Sequence, residues 1–106
     1  MRIVSLKKTE EFQSIFRLHD SVADRNLVVY RAPGSGRLGI ICSKKIGNSV
    51  VRHRFSRLVR EAFRKNNGII RSDMDIVVIA REGAKGQGFF EIEKSLLTLT
   101  AKKTVF

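Results

Sequence analysis

The chain has 106 residues, the length of one domain, and 42% of them are hydrophobic, which suits one modest core and argues against wholesale disorder. Lysine and arginine number 21 against 10 acidic residues, so the formal net charge is +11 and we expect a polyanionic partner. No apolar run suits a signal peptide or a spanning helix, and Cys42 is the only cysteine, so we expect a soluble cytoplasmic protein without a disulfide or a membrane partner.

The first part of the chain predicts one helix followed by strands. An i, i+3, i+4 apolar pattern indicates a helix over residues 9–19. The β-branched and aromatic run 27–30 indicates a strand, with a short extra strand near 21–23. A turn of proline and glycine at 33–36 leads to a strand at 37–42, so we expect an antiparallel hairpin. The apolar residues of the helix are Phe12, Ile15 and Phe16.

A long helix is predicted in the middle of the chain. Asn48 or Ser49 can cap its N-terminus, because both side chains carry an oxygen that accepts from free backbone amides. The helix runs to about Asn66, and the pair Asn67-Gly68 predicts a left-handed stop.

The last part of the chain predicts a buried strand and a final helix. The continuous apolar run 76–80 is typical of a strand in the middle of a covered sheet. A glycine-rich loop over 83–88 leads into a helix around residues 92–99. With the short extra strand, the order is α-β-β-β-α-β-α, so residues 1–106 are predicted to form a single α+β domain in which helices pack on one small sheet.

The long helix carries the strongest functional signal. At about 100° per residue its apolar and basic residues occupy opposite arcs, and Glu61 is the only acid between residues 44 and 66. Because like charges on a helix repel by roughly 0.2–0.5 kcal/mol per pair, this pattern favours polyphosphate binding over an ordinary solvated face. The apolar arc holds Val51, Phe55, Leu58, Val59 and Ala62, with Phe63 at its edge, and the basic arc holds His53, Arg54, Arg57, Arg60 and Arg64.

Arg52 stands apart from the basic arc. It projects about 160° away from Arg54 on the helical wheel, so the two side chains serve different surfaces. We expect Arg52 to reach back towards Lys44 and Lys45, which precede the helix.

The segment 43–54, SKKIGNSVVRHR, and its continuation FSRLVREAFR at 55–64 resemble the signature of the bacterial ribonuclease P protein family. That family shows a lysine-rich turn, Gly-Asn, an Arg-Asn-Arg core and then a ladder of arginines. His53 stands where the family usually has asparagine, so the paired donor and acceptor of an amide are lost. Further matches lie at 6–8, 21–25 and 76–81.

The resemblance implies an α-β-β-β-α-β-α sandwich of the ribosomal protein S5 domain 2-like class, with a left-handed βαβ crossover contrary to the general rule. It also implies a non-catalytic subunit of an endoribonuclease, a hydrolase whose catalytic site is in its RNA. The expected partners are that catalytic RNA and precursor tRNA, whose 5′ leader is removed, with no obligate protein partner. Mg²⁺ is expected in the RNA, and the protein alone is expected to bind no metal or cofactor.

The resemblance also implies two sets of binding residues. The set for the catalytic RNA is Lys44, Lys45, Arg52, His53, Arg54, Arg57, Arg60 and Arg64. The set for the single-stranded leader, in a cleft between the first helix and the sheet, is Phe12, Phe16, Val28 and Tyr30, with Lys44 as a further candidate. By their spacing alone, Phe12 and Phe16 fit an ordinary core position equally well.

Two other functions remain open from the residues. A structural RNA-binding protein of the ribosomal type is what the basic composition alone favours. A self-sufficient nuclease would need clustered carboxylates to hold its metal ions. Asp73 and Asp75 come closest to such a cluster, but we interpret both as turn residues at a strand start.

Overall fold

The computed structural model describes residues 3–106, and the elements over this range follow the predicted order. In chain order they are α1 (Thr9–Arg17), β1 (Ser21–Ala23), β2 (Leu27–Pro33), β3 (Leu38–Ile41), α2 (Ser49–Lys65), β4 (Met74–Ala80), a 3-10 turn (Glu82–Ala84) and α3 (Phe89–Thr100). The α+β class and the α-β-β-β-α-β-α order are therefore confirmed.

The four strands form one sheet in the order β1-β2-β4-β3. β4 lies antiparallel to β2 and parallel to β3, so α2 is the crossover of a β3-α2-β4 unit. The central position predicted for the apolar run 76–80 is confirmed. The left hand expected for the crossover stays a prediction, since strand order and pairing directions alone do not give it.

The predicted hairpin between β2 and β3 is wrong, because β4 lies between the two strands. The Asp75 carboxylate explains how the connection crosses the start of β4. It accepts hydrogen bonds from the backbone amides of Ser35 and Arg37 at 3.1 and 2.8 Å. Its second oxygen accepts two more from the Arg37 guanidinium. The loop that looked like a hairpin turn is therefore an arch fastened to β4.

The two faces of the sheet carry different layers. α2 and α3 cover one face, where Leu27 and Val29 of β2 meet Ile76 and Val78 of β4 in the main core. α1 covers part of the other face, where a smaller cluster forms around Ile15 with the help of three more buried residues. These are Leu6, Ala32 and Val77.

The ends of α2 match the prediction at one terminus only. Asn48 caps the start, and its side-chain oxygen accepts from the Val51 amide at 3.0 Å. The predicted left-handed stop at Asn67-Gly68 is wrong, since neither residue has a positive φ. Instead the buried side chain of Asn66 donates to the carbonyl oxygen of Ala62 at 2.8 Å, which satisfies the last turn without a left-handed residue.

α1 begins and ends slightly differently from the prediction. Lys8 is the N-cap residue and Thr9 the first helical one; the Glu11 carboxylate accepts from the Lys8 amide at 2.9 Å. The helix ends at Arg17, two residues before His19, whose φ of 57° makes it the left-handed residue that stops the chain from continuing as a helix.

A buried ion pair fastens the C-terminal segment to the sheet. Arg31 on β2 and Asp20 before β1 have side chains that are each 1% exposed, and the Arg31 Nε donates to Asp20 Oδ1 at 2.9 Å. The remaining donors of Arg31 reach the carbonyl oxygens of Lys102 and Lys103, and the other oxygen of Asp20 accepts from the Val105 amide. Every charged group in this cluster is thus hydrogen-bonded.

We expect Asp20→Ala to lower the free energy of unfolding by about 3–5 kcal/mol, because it leaves the buried Arg31 charge unpaired. Urea unfolding followed by circular dichroism measures the change. Asp73→Ala is the matched control, since Asp73 pairs with Arg71 at the surface, and its urea midpoint should stay close to that of the parent protein. Equal midpoints for the two variants would contradict the assignment.

Candidate nucleic-acid interface

The solvent side of α2 forms what we call the cationic face. Its five members are exposed, and within residues 3–106 none of them forms an ion pair. Glu61 remains the only carboxylate on the helix. The members of the cationic face are His53, Arg54, Arg57, Arg60 and Arg64.

The opposite side of α2 holds the helix in place. Phe55, Val59, Ala62 and Phe63 are buried in the main core, and Leu58 packs against them while half-buried. The arcs predicted from the helical wheel are therefore confirmed, and burial of one arc presents the other to solvent.

Among the side-chain hydrogen bonds of residues 3–106, Arg54 is the member of the cationic face that bonds to a segment outside α2. Its Nη1 donates to the backbone carbonyl oxygen of Gln87 at 3.0 Å. Together with Val50, His53 and Arg57 it lines a shallow surface depression of about 390 Å³. This depression has an apolar side chain beside three cationic or polar ones.

Lys44 and Lys45 are exposed in the turn before α2, whereas Arg52 is less exposed than the members of the cationic face. The Arg52 side chain is half-buried, and its Nε is buried without a hydrogen-bond partner in residues 3–106. It lies near Cys42, whose pKa is raised by burial and lowered to a smaller extent by the Arg52 charge. That Arg52 reaches back towards Lys44 and Lys45 stays a prediction.

Of the second predicted set, Phe12, Phe16 and Tyr30 pack around the smaller cluster, and Val28 lies on the Tyr30 side of β2. We call these four residues the aromatic cleft. Phe12, Phe16, Val28 and Tyr30 are all half-buried, on α1 and on the α1 side of β2. The rings of Phe16 and Tyr30 meet edge to face at 4.8 Å between centroids, and those of Phe12 and Phe16 are 6.5 Å apart. Each ring therefore keeps part of its surface open to solvent.

Neighbouring strands add two residues that sequence reasoning missed. Val28 pairs in register with Ile79 on β4, which in turn pairs with Ile41 on β3. Both isoleucines are half-buried on the same side of the sheet as Tyr30. Only the strand order reveals this row, because the three residues are far apart in the chain. Lys44 follows three residues after Ile41.

Gly39 on β3 is a third residue that sequence reasoning missed. A Cβ atom at this position would lie 2.5 Å from the Phe12 ring and 3.1 Å from a Leu6 methyl group. The missing side chain therefore makes room for Phe12 on the sheet. Of the two aromatic residues of α1, Phe12 packs closely on the sheet at Gly39, and Phe16 faces Tyr30 in the aromatic cleft.

The carboxylates do not assemble into a catalytic cluster in residues 3–106, where no group of three or more His, Cys, Asp or Glu could hold a metal ion. Asp73 lies before β4, exposed, and pairs with Arg71. Asp75 was interpreted as a turn residue, and this is wrong: it is buried within β4 and holds the β2–β3 arch. Its hydrogen bonds to Arg37 occupy the oxygens that a metal would need.

The sequence matches the family model Ribonuclease P over residues 1–104. The chain belongs to the ribonuclease P protein family. It is 46% identical over 98 residues to a ribonuclease P protein component of Lachnoclostridium phytofermentans, covering 90% of this chain and 84% of that protein. The corresponding protein of Shouchella clausii is 42% identical over 104 residues, covering 94% and 85%.

Solved structures of this family share the fold. The Staphylococcus aureus RNase P protein superposes with a TM-score of 0.80 at 38% identity, covering 92% of this chain and 93% of that one. The Thermotoga maritima RNase P protein gives 0.82 at 30% identity, covering 93% and 97%. Family membership makes this chain an RNA-binding protein component of a tRNA-processing ribonuclease. No helix in residues 3–106 has the length and apolarity needed to cross a membrane.

We expect Arg60→Glu to raise the free energy of unfolding of the free protein by about 0.5 kcal/mol. The substitution removes repulsion from Arg57 and Arg64 and places a glutamate four residues before Arg64, the favourable orientation for a helical ion pair. The same variant should bind RNA more weakly, which filter binding measures beside the urea midpoint. Arg60→Gln is the control: it removes the positive charge without adding an ion pair with Arg64, so its unfolding free energy shows how much of the change comes from lost repulsion alone. A less stable Arg60→Glu protein would show that Arg60 makes a structural contact.

Proposed function

We propose that this chain binds the catalytic RNA of ribonuclease P through the cationic face and the Lys44-Lys45 turn, and holds the 5′ leader of precursor tRNA in the aromatic cleft. The observation that carries the proposal is the absence of ion pairs on the cationic face within residues 3–106. A row of unpaired arginines destabilises the free helix, and an RNA backbone supplies the missing negative charge.

The carboxylates of this chain support the same conclusion. Asp20 and Asp75 are engaged with Arg31 and Arg37 of the sheet and its arch, and Glu93 pairs with Lys65, the last residue of α2. None of the three pairs with a member of the cationic face. The arginines of α2 therefore stay free for bidentate contacts with phosphates and for stacking on exposed bases. If about six of these cations contact phosphates, the logarithm of affinity should fall with the logarithm of salt concentration with a slope of about −4 to −5.

The aromatic cleft suits a single strand. Open ring surface on Phe16 and Tyr30 can stack on bases whatever their identity, at roughly 1–3 kcal/mol per base. A subunit that must accept many precursor tRNAs needs this tolerance, since leaders differ in sequence.

The role proposed for the protein is electrostatic and positional. Its cations screen the repulsion between the phosphates of catalytic RNA and substrate, while the cleft orients the leader. Magnesium supplies the metal chemistry in the RNA. A lower magnesium requirement in the presence of the protein should follow.

We expect this protein to stimulate precursor-tRNA cleavage by a bacterial ribonuclease P RNA at low magnesium, and the Arg54→Ala, Arg57→Ala double variant to lose that stimulation. Cleavage assays with and without protein measure both effects, and protein without RNA should give no cleavage. Tight RNA binding without stimulation would instead favour a structural RNA-binding protein of the ribosomal type. Cleavage by the protein alone would instead favour the hypothesis of a self-sufficient nuclease.

We expect Tyr30→Ala to weaken binding of a precursor tRNA with a leader by roughly 5-fold or more in the complex with the catalytic RNA, because a stacking surface is lost. Binding of mature tRNA, which lacks the leader, should not change. Tyr30→Phe keeps the ring and is the matched control. If Tyr30→Ala weakened the binding of both tRNAs equally, the assignment of the leader to the aromatic cleft would be wrong.

A further inference from the structure

Phe90 is a large aromatic side chain on the first turn of α3, and it is 72% exposed. Its neighbour Phe89 is half-buried against the main core and meets the Phe90 ring edge to face, with centroids 5.9 Å apart. Single exposed apolar residues are common, so exposure alone carries no argument. The surroundings of Phe90 are what indicate a function for it.

The segment that leads to Phe90 is fastened to the cationic face. Gln87, three residues earlier, accepts the hydrogen bond from Arg54. At the other end of α2, the Lys65 ammonium lies 5.3 Å from the centre of the Phe89 ring. Phe89 therefore lies beside Lys65, Phe90 adjoins Phe89, and the loop before them is bonded to Arg54. Arg54 and Lys65 are about 16 Å apart along α2.

The acidic groups near Phe90 are largely engaged. The Glu91 carboxylate accepts from the Gly88 amide at 3.1 Å and so caps α3. Glu93 accepts from the Asn66 side chain at 2.9 Å and pairs with Lys65 at 3.5 Å. Lys94 is exposed four residues after Phe90 and has no ion pair within residues 3–106. Glu61 and Glu91 form no ion pair within these residues either.

We propose that Phe90 stacks on an unpaired base of the catalytic RNA and so extends the RNA interface from α2 onto α3. This inference rests on the function proposed for the cationic face. An aromatic ring with a free surface, next to cations that hold the phosphate backbone, is the arrangement with which proteins bind single-stranded nucleotides. A phenyl ring offers no hydrogen bond, so the contact accepts any base.

The experiment measures affinity for a bacterial ribonuclease P RNA as a function of salt. We expect Phe90→Ala to weaken binding by roughly 5- to 100-fold while leaving the salt slope unchanged, because it removes stacking and no charge. Phe90→Leu should lose as much, and Phe90→Tyr should retain affinity. The Arg54→Ala, Arg57→Ala variant should instead flatten the slope.

A direct readout of stacking is available because the chain contains no tryptophan. The fluorescence of Phe90→Trp should be quenched when the RNA binds, since base stacking quenches the indole. Val105→Trp is the matched control, because Val105 is equally exposed, at 71%, but lies in the C-terminal segment fastened by Asp20. Its fluorescence should change little.

Three results would overturn the inference. If Phe90→Ala binds like the parent protein while the double arginine variant does not, Phe90 makes no RNA contact and the proposed function stands. If the parent protein binds no RNA, both proposals fail together. If sedimentation shows a dimer that Phe90→Ala converts to monomer, the ring belongs to a protein interface.

Discussion

The position of β4 in the sheet is the constraint on which the rest of this fold depends. Its residues from Met74 to Ala80 are buried except for the half-buried Ile79, and they alternate between the main core and the cluster under α1. A strand that is apolar on both sides needs neighbours on both edges and cover on both faces. Placing it between β2 and β3 makes α2 the crossover and sends the β2–β3 loop over the buried Asp75.

The division of charge follows from this arrangement. Carboxylates serve the scaffold: Asp20 secures the buried Arg31, and Asp75 secures the arch through Arg37. Because these acids are engaged elsewhere, the arginines on the crossover helix have no ion-pair partner within residues 3–106. The repulsion between neighbouring arginines on the helix costs the free protein little for each pair, and a polyphosphate partner replaces this repulsion with attraction. The arginines of the scaffold are thus paired with carboxylates, whereas those of the proposed RNA interface are not.

Much of the fold and of the cationic face could be predicted from the sequence. The helical period of α2 separated Phe55 and Val59 from Arg57 and Arg60, and Asn48 marked its start. The structure confirms these features because they depend on local periodicity and capping. The hairpin failed for the opposite reason. The turn at 33–36 is local, but the strand that pairs with β2 on this edge is β4, which begins more than forty residues after β2 begins. A pairing over this distance leaves no local pattern in the sequence.

By itself, the sequence determined the order of the elements, the amphipathic basic helix and the need for a polyanionic partner, since periodicity and net charge are properties of the chain. Tertiary structure alone decided which side chains meet. It set the row formed by Val28, Ile79 and Ile41, the space that Gly39 leaves for Phe12, and the burial of Asp75. It also brought Gln87 to Arg54 and Phe89 to Lys65, because the contact between α2 and α3 is fixed by packing over the sheet and by no pattern within either helix.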